Sequence, residues 1–198
     1  MLKQTLALVG LTLSLSSNAA IIDLGSITRD TSTGLDWLDL SETLNLSYDD
    51  VVAEMANGGN YEGWRYATKE EVMLLWENFG VQSDYFHTNN QEYMNFLNTV
   101  SLLGNTLGDT SEIYDYGVLG LTGTVNSNYE DAVFSFSVGH LTTNDYATKH
   151  YSNATNWFYM NEPILGAGSY LVRSVPIPTA VWLFGSALVG LVSFKRKK

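Results

Sequence analysis

Trp64-Arg65-Tyr66-Ala67-Thr68-Lys69-Glu70-Glu71-Val72-Met73-Leu74-Leu75-Trp76-Glu77-Asn78-Phe79 passes from one kind of secondary structure to another within one short stretch. Trp64 to Ala67 reads as a short extended piece. Thr68 with Glu71 three residues later is a capping box, and Val72, Leu75, Trp76 and Phe79 follow at helical spacing. Upstream, Ser47 reads as an N-cap with Asp50 behind it. Val51, Val52 and Met55 form an apolar stripe, and Gly58-Gly59 ends that helix. Further out, Ile21 to Arg29 and Leu35 to Leu40 read as strands divided by the turn-prone Asp30-Thr31-Ser32-Thr33-Gly34. Downstream, a third helix runs from about Asn90 to Leu103, with Tyr93, Phe96, Leu97, Val100 and Leu103 on one side and Gly104 as terminator. Ile113 to Leu121, Ala132 to Val138, Asn156 to Met160 and Ser169 to Arg173 then read as strands. Strands, helices, then strands predict an α+β fold with an antiparallel sheet and two or three helices.

The chain has 198 residues, 21 acids, 10 Lys and Arg, a formal charge of −11 and 13% aromatics. That length is one domain with appended segments, and the aromatics exclude a disordered chain. The absence of cysteine removes disulfide scaffolds, Cys-ligated metals and thiol nucleophiles. The acidic balance argues against nucleic acid, since a phosphate backbone needs cations to displace its counterions.

The ends carry their own signals. Lys3, an uncharged run from Thr5 to Leu15 and Ser16-Ser17-Asn18-Ala19-Ala20 have the form of a secretory signal peptide over residues 1–19. Ser17 and Ala19 at the two small positions predict cleavage by signal peptidase after Ala19. Ile177 to Phe194 contains no charge and is followed by Lys195-Arg196-Lys197-Lys198. A helix there is apolar on every face, and at about 1.5 Å per residue it spans roughly 27 Å, enough to cross the hydrocarbon. The four cations hold the tail in the cytoplasm and leave the body, residues 20–174, outside. Pro176 and Pro178 make a stop between body and helix. Ser186 and Gly190 are read as small residues that a membrane helix tolerates. Removing both end segments leaves five cations against 21 acids, so the mature body carries −16.

Residues 175–198, with Val175-Pro176-Ile177-Pro178, the apolar helix and the basic tail, resemble the PEP-CTERM sorting signal in its Val-Pro-x-Pro variant. Val175 and Ile177 stand where the commonest form has Pro-Glu-Pro. The resemblance implies recognition by an exosortase, a membrane-embedded cysteine transpeptidase, and removal of the helix near the proline motif. It also implies delivery to the cell surface or matrix of an exopolysaccharide-producing Gram-negative bacterium. Within the body, Thr33-Gly34-Leu35-Asp36-Trp37, then Trp64-Arg65-Tyr66-Ala67-Thr68-Lys69-Glu70-Glu71-Val72, and finally Tyr170-Leu171-Val172-Arg173 resemble the Lcl-type C-terminal domain. That resemblance implies a fold related to C-type lectins and sulfatase-modifying factors. Ala67 and Tyr66 replace that pattern's proline and leucine, and its central Tyr-Trp-Ser-Ser stretch and cysteines are absent. No ligand or activity follows from it.

Read without any family, Gly34 supplies a positive φ before a strand. Trp37, Trp64 and Trp76 are expected in one core, and Arg65 and Arg173 are expected to pair with carboxylates. His87, His140 and His150 lack metal-type spacing, and no nucleophile elbow, P-loop or dinucleotide fingerprint is present. His140, Asp145 and His150 lie in a loop-like segment that leaves their convergence open, and no metal site is assigned. Asp36 and Asp39, and Asp49 with Asp50, are read as structural rather than as a hydrolytic pair. Calcium is the one cofactor candidate, through Asp109, Glu112 and Asp115, although EF-hand spacing is absent. The expected function is a non-catalytic exported surface or matrix protein, with polysaccharide as a candidate partner. A carbohydrate-binding module using Tyr146, Tyr151, Trp157 and Tyr159, and a carboxylate-dependent glycoside hydrolase, are the alternatives.

Overall fold

The computed structural model describes residues 20–108, 114–125, 133–141, 146–152 and 160–175. Fourteen elements follow in chain order: β1 Ile21–Asp23, β2 Ile27–Asp30, β3 Leu35–Leu38, a 3-10 turn Leu40–Thr43, α1 Tyr48–Glu54, β4 Arg65–Tyr66, α2 Lys69–Asn78, β5 Tyr85–His87, α3 Gln91–Leu103, β6 Tyr114–Val125, β7 Val133–Leu141, β8 Tyr146–Ser152, β9 Gly168–Ser169 and β10 Leu171–Ser174. The α+β class holds, with antiparallel pairing predominant. The expected single sheet is two. One runs β1-β2-β3-β10-β4 and the other β5-β8-β7-β6-β9, and the β6–β9 pair is parallel.

Local chemistry sets the helices. Ser47 accepts from the Asp50 N–H while the Asp50 carboxylate answers the Ser47 N–H, and Thr68 and Glu71 do the same for α2, satisfying N–H groups that the first turn leaves without partners. Asn90 caps α3. Helix α1 stops at Glu54 with Met55 as its cap, ahead of the expected Gly58-Gly59, and Val52 faces solvent. The expected strand from Ile21 to Arg29 breaks into a hairpin where Leu24 N–H donates to Ile27 O at 2.9 Å. The second expected strand ends at Leu38, where the 3-10 turn takes over.

Strands β9 and β10 tie the sheets together. Gly168 and Ser169 pair with Gly120 and Leu121 in the second sheet, and two residues later the chain lies between β3 and β4 in the first. Tyr170 stands at the crossing. Its N–H donates to Leu121 O at 2.9 Å, its carbonyl accepts from Ala67 N–H at 2.8 Å, and its hydroxyl accepts from Trp76 Nε1 at 3.3 Å. Its ring meets Trp37 and Phe136 edge-on. Gly120 lies beneath this ring, and a Cβ there would come within 2.5 Å of Tyr170 Cε2.

The main core holds Trp37, Leu75, Trp76, Phe96, Val118, Phe136, Tyr170 and Val172, drawn from both sheets, α2 and α3. The opposite face of the first sheet buries Leu38, Tyr66 and Leu171 with Val51 and Leu121 in a second core. Trp64 packs against this second core and not with Trp37 and Trp76, because the two-residue strand period puts it on the other face.

Candidate functional site

Along the first sheet, register fixes a row of side chains. Arg29 on β2 lies opposite Asp36 on β3, and Asp36 lies opposite Arg173 on β10. Turn Asp30–Gly34 sets the first pairing, with Gly34 at φ 69° closing it; that left-handed conformation suits a residue without Cβ. Asp36 is almost fully buried (side chain 3% exposed), while Arg29 and Arg173 are 34% and 40% exposed. Arg29 Nε donates to Asp36 Oδ1 at 2.6 Å and Nη2 to Oδ2 at 3.1 Å; Arg173 Nε donates to Oδ2 at 3.4 Å. The Arg173 guanidinium also lies over Trp64, 4.5 Å from the ring centroid, in cation–π geometry. The hydrogen bond from Arg29, followed by the charges of both guanidinia, holds the Asp36 carboxyl below its ordinary range despite burial. Two cations on one carboxylate leave the row with a net positive charge.

The row lies one residue pair inside the β2–β3 turn, at the pole that also holds Ala20 and Val175. Ala20 N–H donates to Thr31 Oγ1 at 2.8 Å, and Thr31 N–H returns to Ala20 O at 3.0 Å. On the other side of the same turn, Val175 N–H donates to Gly34 O at 2.9 Å. The residue after the expected signal-peptide cut and the first residue of the expected sorting motif are therefore both held by the β2–β3 turn. Ala19, Pro176, Ile177, Pro178 and Lys195, Arg196, Lys197 and Lys198 lie outside the described residues, as do Asp109, Glu112, Asp145, Trp157 and Tyr159. Among the described residues no helix is long and apolar enough to cross a membrane.

The other expected residues go to structural settings. Arg65 pairs with Glu71 through Nη1 at 2.8 Å and Nη2 at 2.6 Å. Asp36 and Asp39 do not form a pair facing one cleft. Asp39 is partly buried, with its buried Oδ1 lacking a hydrogen-bond partner. Burial first, then the neighbouring charges of Asp23 and Glu42, push it up to about 6, with the Thr28 hydroxyl acting in the opposite sense. His140 Nδ1 lies 2.6 Å from Asp115 Oδ1, with the Tyr93 ring 5.6 Å away. Position 150 pairs with Ser137 and position 140 with Ala147. His140 and Ser137 are three residues apart on β7, so positions 140 and 150 fall on opposite faces. The loop-like reading of this segment, which leaves the convergence of His140 with His150 open, is thus corrected: both positions lie in paired strands. Among the described residues no three His, Asp or Glu side chains gather as a metal site.

Sequence reasoning missed Arg29 as a partner of Asp36. The signal was present: a hairpin whose four-residue loop is Thr31-Ser32-Thr33-Gly34 pairs 30 with 35 and places 29 opposite 36. Searches against protein families, curated proteins and solved structures find no match for the chain.

Proposed function

We propose that this chain is an exported, non-catalytic surface or matrix protein, held in the inner membrane by its C-terminal helix until an exosortase removes that helix. The observation that carries the reading is the C-terminal arrangement: Val175-Pro176-Ile177-Pro178, then an uncharged stretch to Phe194, then four adjacent cations. The geometry of the body supports it. Val175 is tied to the domain through Gly34, and the expected new N-terminus, Ala20, is tied to the same turn. Processing at either end thus leaves the sheet intact. Polysaccharide in the surrounding matrix is the partner class that goes with this setting.

The C-type-lectin-like kinship of the body belongs to the same proposal. Its support is that the three segments bearing the resemblance lie on neighbouring strands, β3, β10 and β4, although they are far apart in sequence. The deciding experiment is replacement of Pro176 and Pro178 by Ala in the producing bacterium. The full-length precursor then accumulates in the inner-membrane fraction, and release at the normal size and rate would overturn the sorting assignment.

A further inference from the structure

The geometry points to the Arg29–Asp36–Arg173–Trp64 row as a seat for lipid phosphate, by which the anchored precursor sits on the outer surface of an anionic bilayer. This rests on the membrane-anchored reading above and adds the orientation of the body and its lipid partner.

Depth is the first argument. Arg173 precedes Ile177, where the apolar span begins, by four residues. Even fully extended, that tether reaches only about 14 Å, and the headgroup zone occupies roughly 5–8 Å of it. The Arg173 backbone is therefore confined close above the headgroups, and long cationic side chains extend along apolar surface to place their charge at such a boundary. Arg29 and Asp36 stand opposite one another and Arg173 in the ladder, so Arg29 shares that neighbourhood. Ile22 pairs with Arg29 at the sheet edge and is 41% exposed. Trp64, in contact with Arg173, is a residue type that favours the membrane interface.

Charge is the second argument. The mature body carries −16, yet here two guanidinia share one carboxylate. Elsewhere Arg65 is matched by Glu71, and Lys149 Nζ reaches the Val81 and Gln82 carbonyls. The bonds to Asp36 use Arg29 Nε and Nη2 and Arg173 Nε, which leaves both Nη groups of Arg173 outside the pairing. Such donors match phosphate oxygens in pairs. The acid closest along the chain, Asp30, is buried, and its carboxylate is taken by Ser32, Thr33 and Asn78. Cleavage after Ala19 would add an α-ammonium at Ala20, beside Thr31 at the same pole.

The chain has no cysteine, so a single introduced one carries a single probe. The full chain bearing Ile22→Cys with an environment-sensitive fluorophore is reconstituted in vesicles of phosphatidylcholine, with or without about one-third phosphatidylglycerol, a content chosen to create a negative surface potential. Leu165→Cys, 72% exposed and ahead of β9 near Asn45, at the end of β10 remote from the pole, serves as the distant position. Flotation after alkaline washing reads the anchor, and quenching by headgroup spin-labelled lipid reads the seat.

The expected result is flotation, strong quenching at position 22 that increases with phosphatidylglycerol, and weak quenching at 165. Arg29→Gln and Arg173→Gln should each lower the seated fraction in the anionic vesicles about fivefold. Flotation with equal quenching at 22 and 165, or quenching at 22 that ignores phosphatidylglycerol in the unsubstituted row, overturns the seat and leaves the anchor standing. Failure to float overturns the anchor and the seat with it. An equal response of the position-22 probe to a soluble polyuronate would reassign the row to polymer and overturn the lipid seat.

Discussion

Asp36 and Asp39 are the same residue type, three positions apart, and the fold drives their carboxyls in opposite directions. Asp36 receives two guanidinia across the ladder and stays ionised while buried; Asp39 is withdrawn from water beside Asp23 and Glu42 and rises to about 6. The consequences for stability have opposite signs. Asp36, with Asp30 and Glu71, titrates below its usual range in the folded state. These groups stabilise above about pH 4, and their contribution is lost as pH falls through the folded values. Asp39 releases its proton first in the unfolded chain, at about 3.9, so its contribution declines as pH rises from there to about 6. Asp39→Asn removes that decline and raises the melting midpoint at about pH 7.5, by roughly 2–4 °C for each kcal/mol recovered. Thermal melts across about pH 4–8, where linkage predicts the change, check this; an unaltered slope between 4 and 6 in the variant would assign the titration elsewhere. Part of this chemistry was legible in sequence. Arg29 and Asp36 follow from closing a four-residue loop over 31–34, whereas Arg173 reaches Asp36 across a separation of 137 residues, which no local pattern encodes.

Among the elements, helices were legible because their start signals are local. Both capping boxes act as their sequences prescribe, so Thr68→Ala should cost about 1 kcal/mol, seen as a lower urea midpoint with an unchanged slope. An unaffected midpoint would mean that Arg65, which also holds Glu71, suffices. Strands were less legible for a physical reason. Strand β8, Tyr146-Ala147-Thr148-Lys149-His150-Tyr151-Ser152, carries polar residues at most positions and takes its partners from β7 and β5. Its extended state comes from pairing and not from propensity. Strand β5 is only three residues long. Trp64 lies against the second core and not with Trp37 and Trp76, because counting aromatics does not reveal which sheet face a residue just before the two-residue β4 occupies. The crossing at Tyr170 is a tight packing joint between elements. Gly120→Ala forces a methyl group toward the Tyr170 ring and should destabilise by about 1–3 kcal/mol; the denaturation midpoint checks it, and a neutral result would show that the ring can yield.

For the whole molecule, the low count of cations sets the behaviour in salt. Residues 20–174, with five cations against 21 acids, carry −16 and repel themselves. Raising NaCl from about 0.01 M to about 0.15 M shortens the screening length from roughly 30 Å to 8 Å, and the melting midpoint should climb. A falling midpoint would mean that the ion pairs at Asp36 and Glu71 outweigh the repulsion. The placement of β10 has a consequence of timing. Leu171–Ser174 is an interior strand of the first sheet, between β3 and β4, and Gly168–Ser169 completes the second, yet both belong to the end of the body. A chain threaded through a membrane with its N-terminus leading has neither sheet complete until these residues emerge, and contacts of such long separation form slowly. Under the proposed export, the body would thus stay open during transit and close only when Gly168 to Ser174 arrives beside partners already waiting outside.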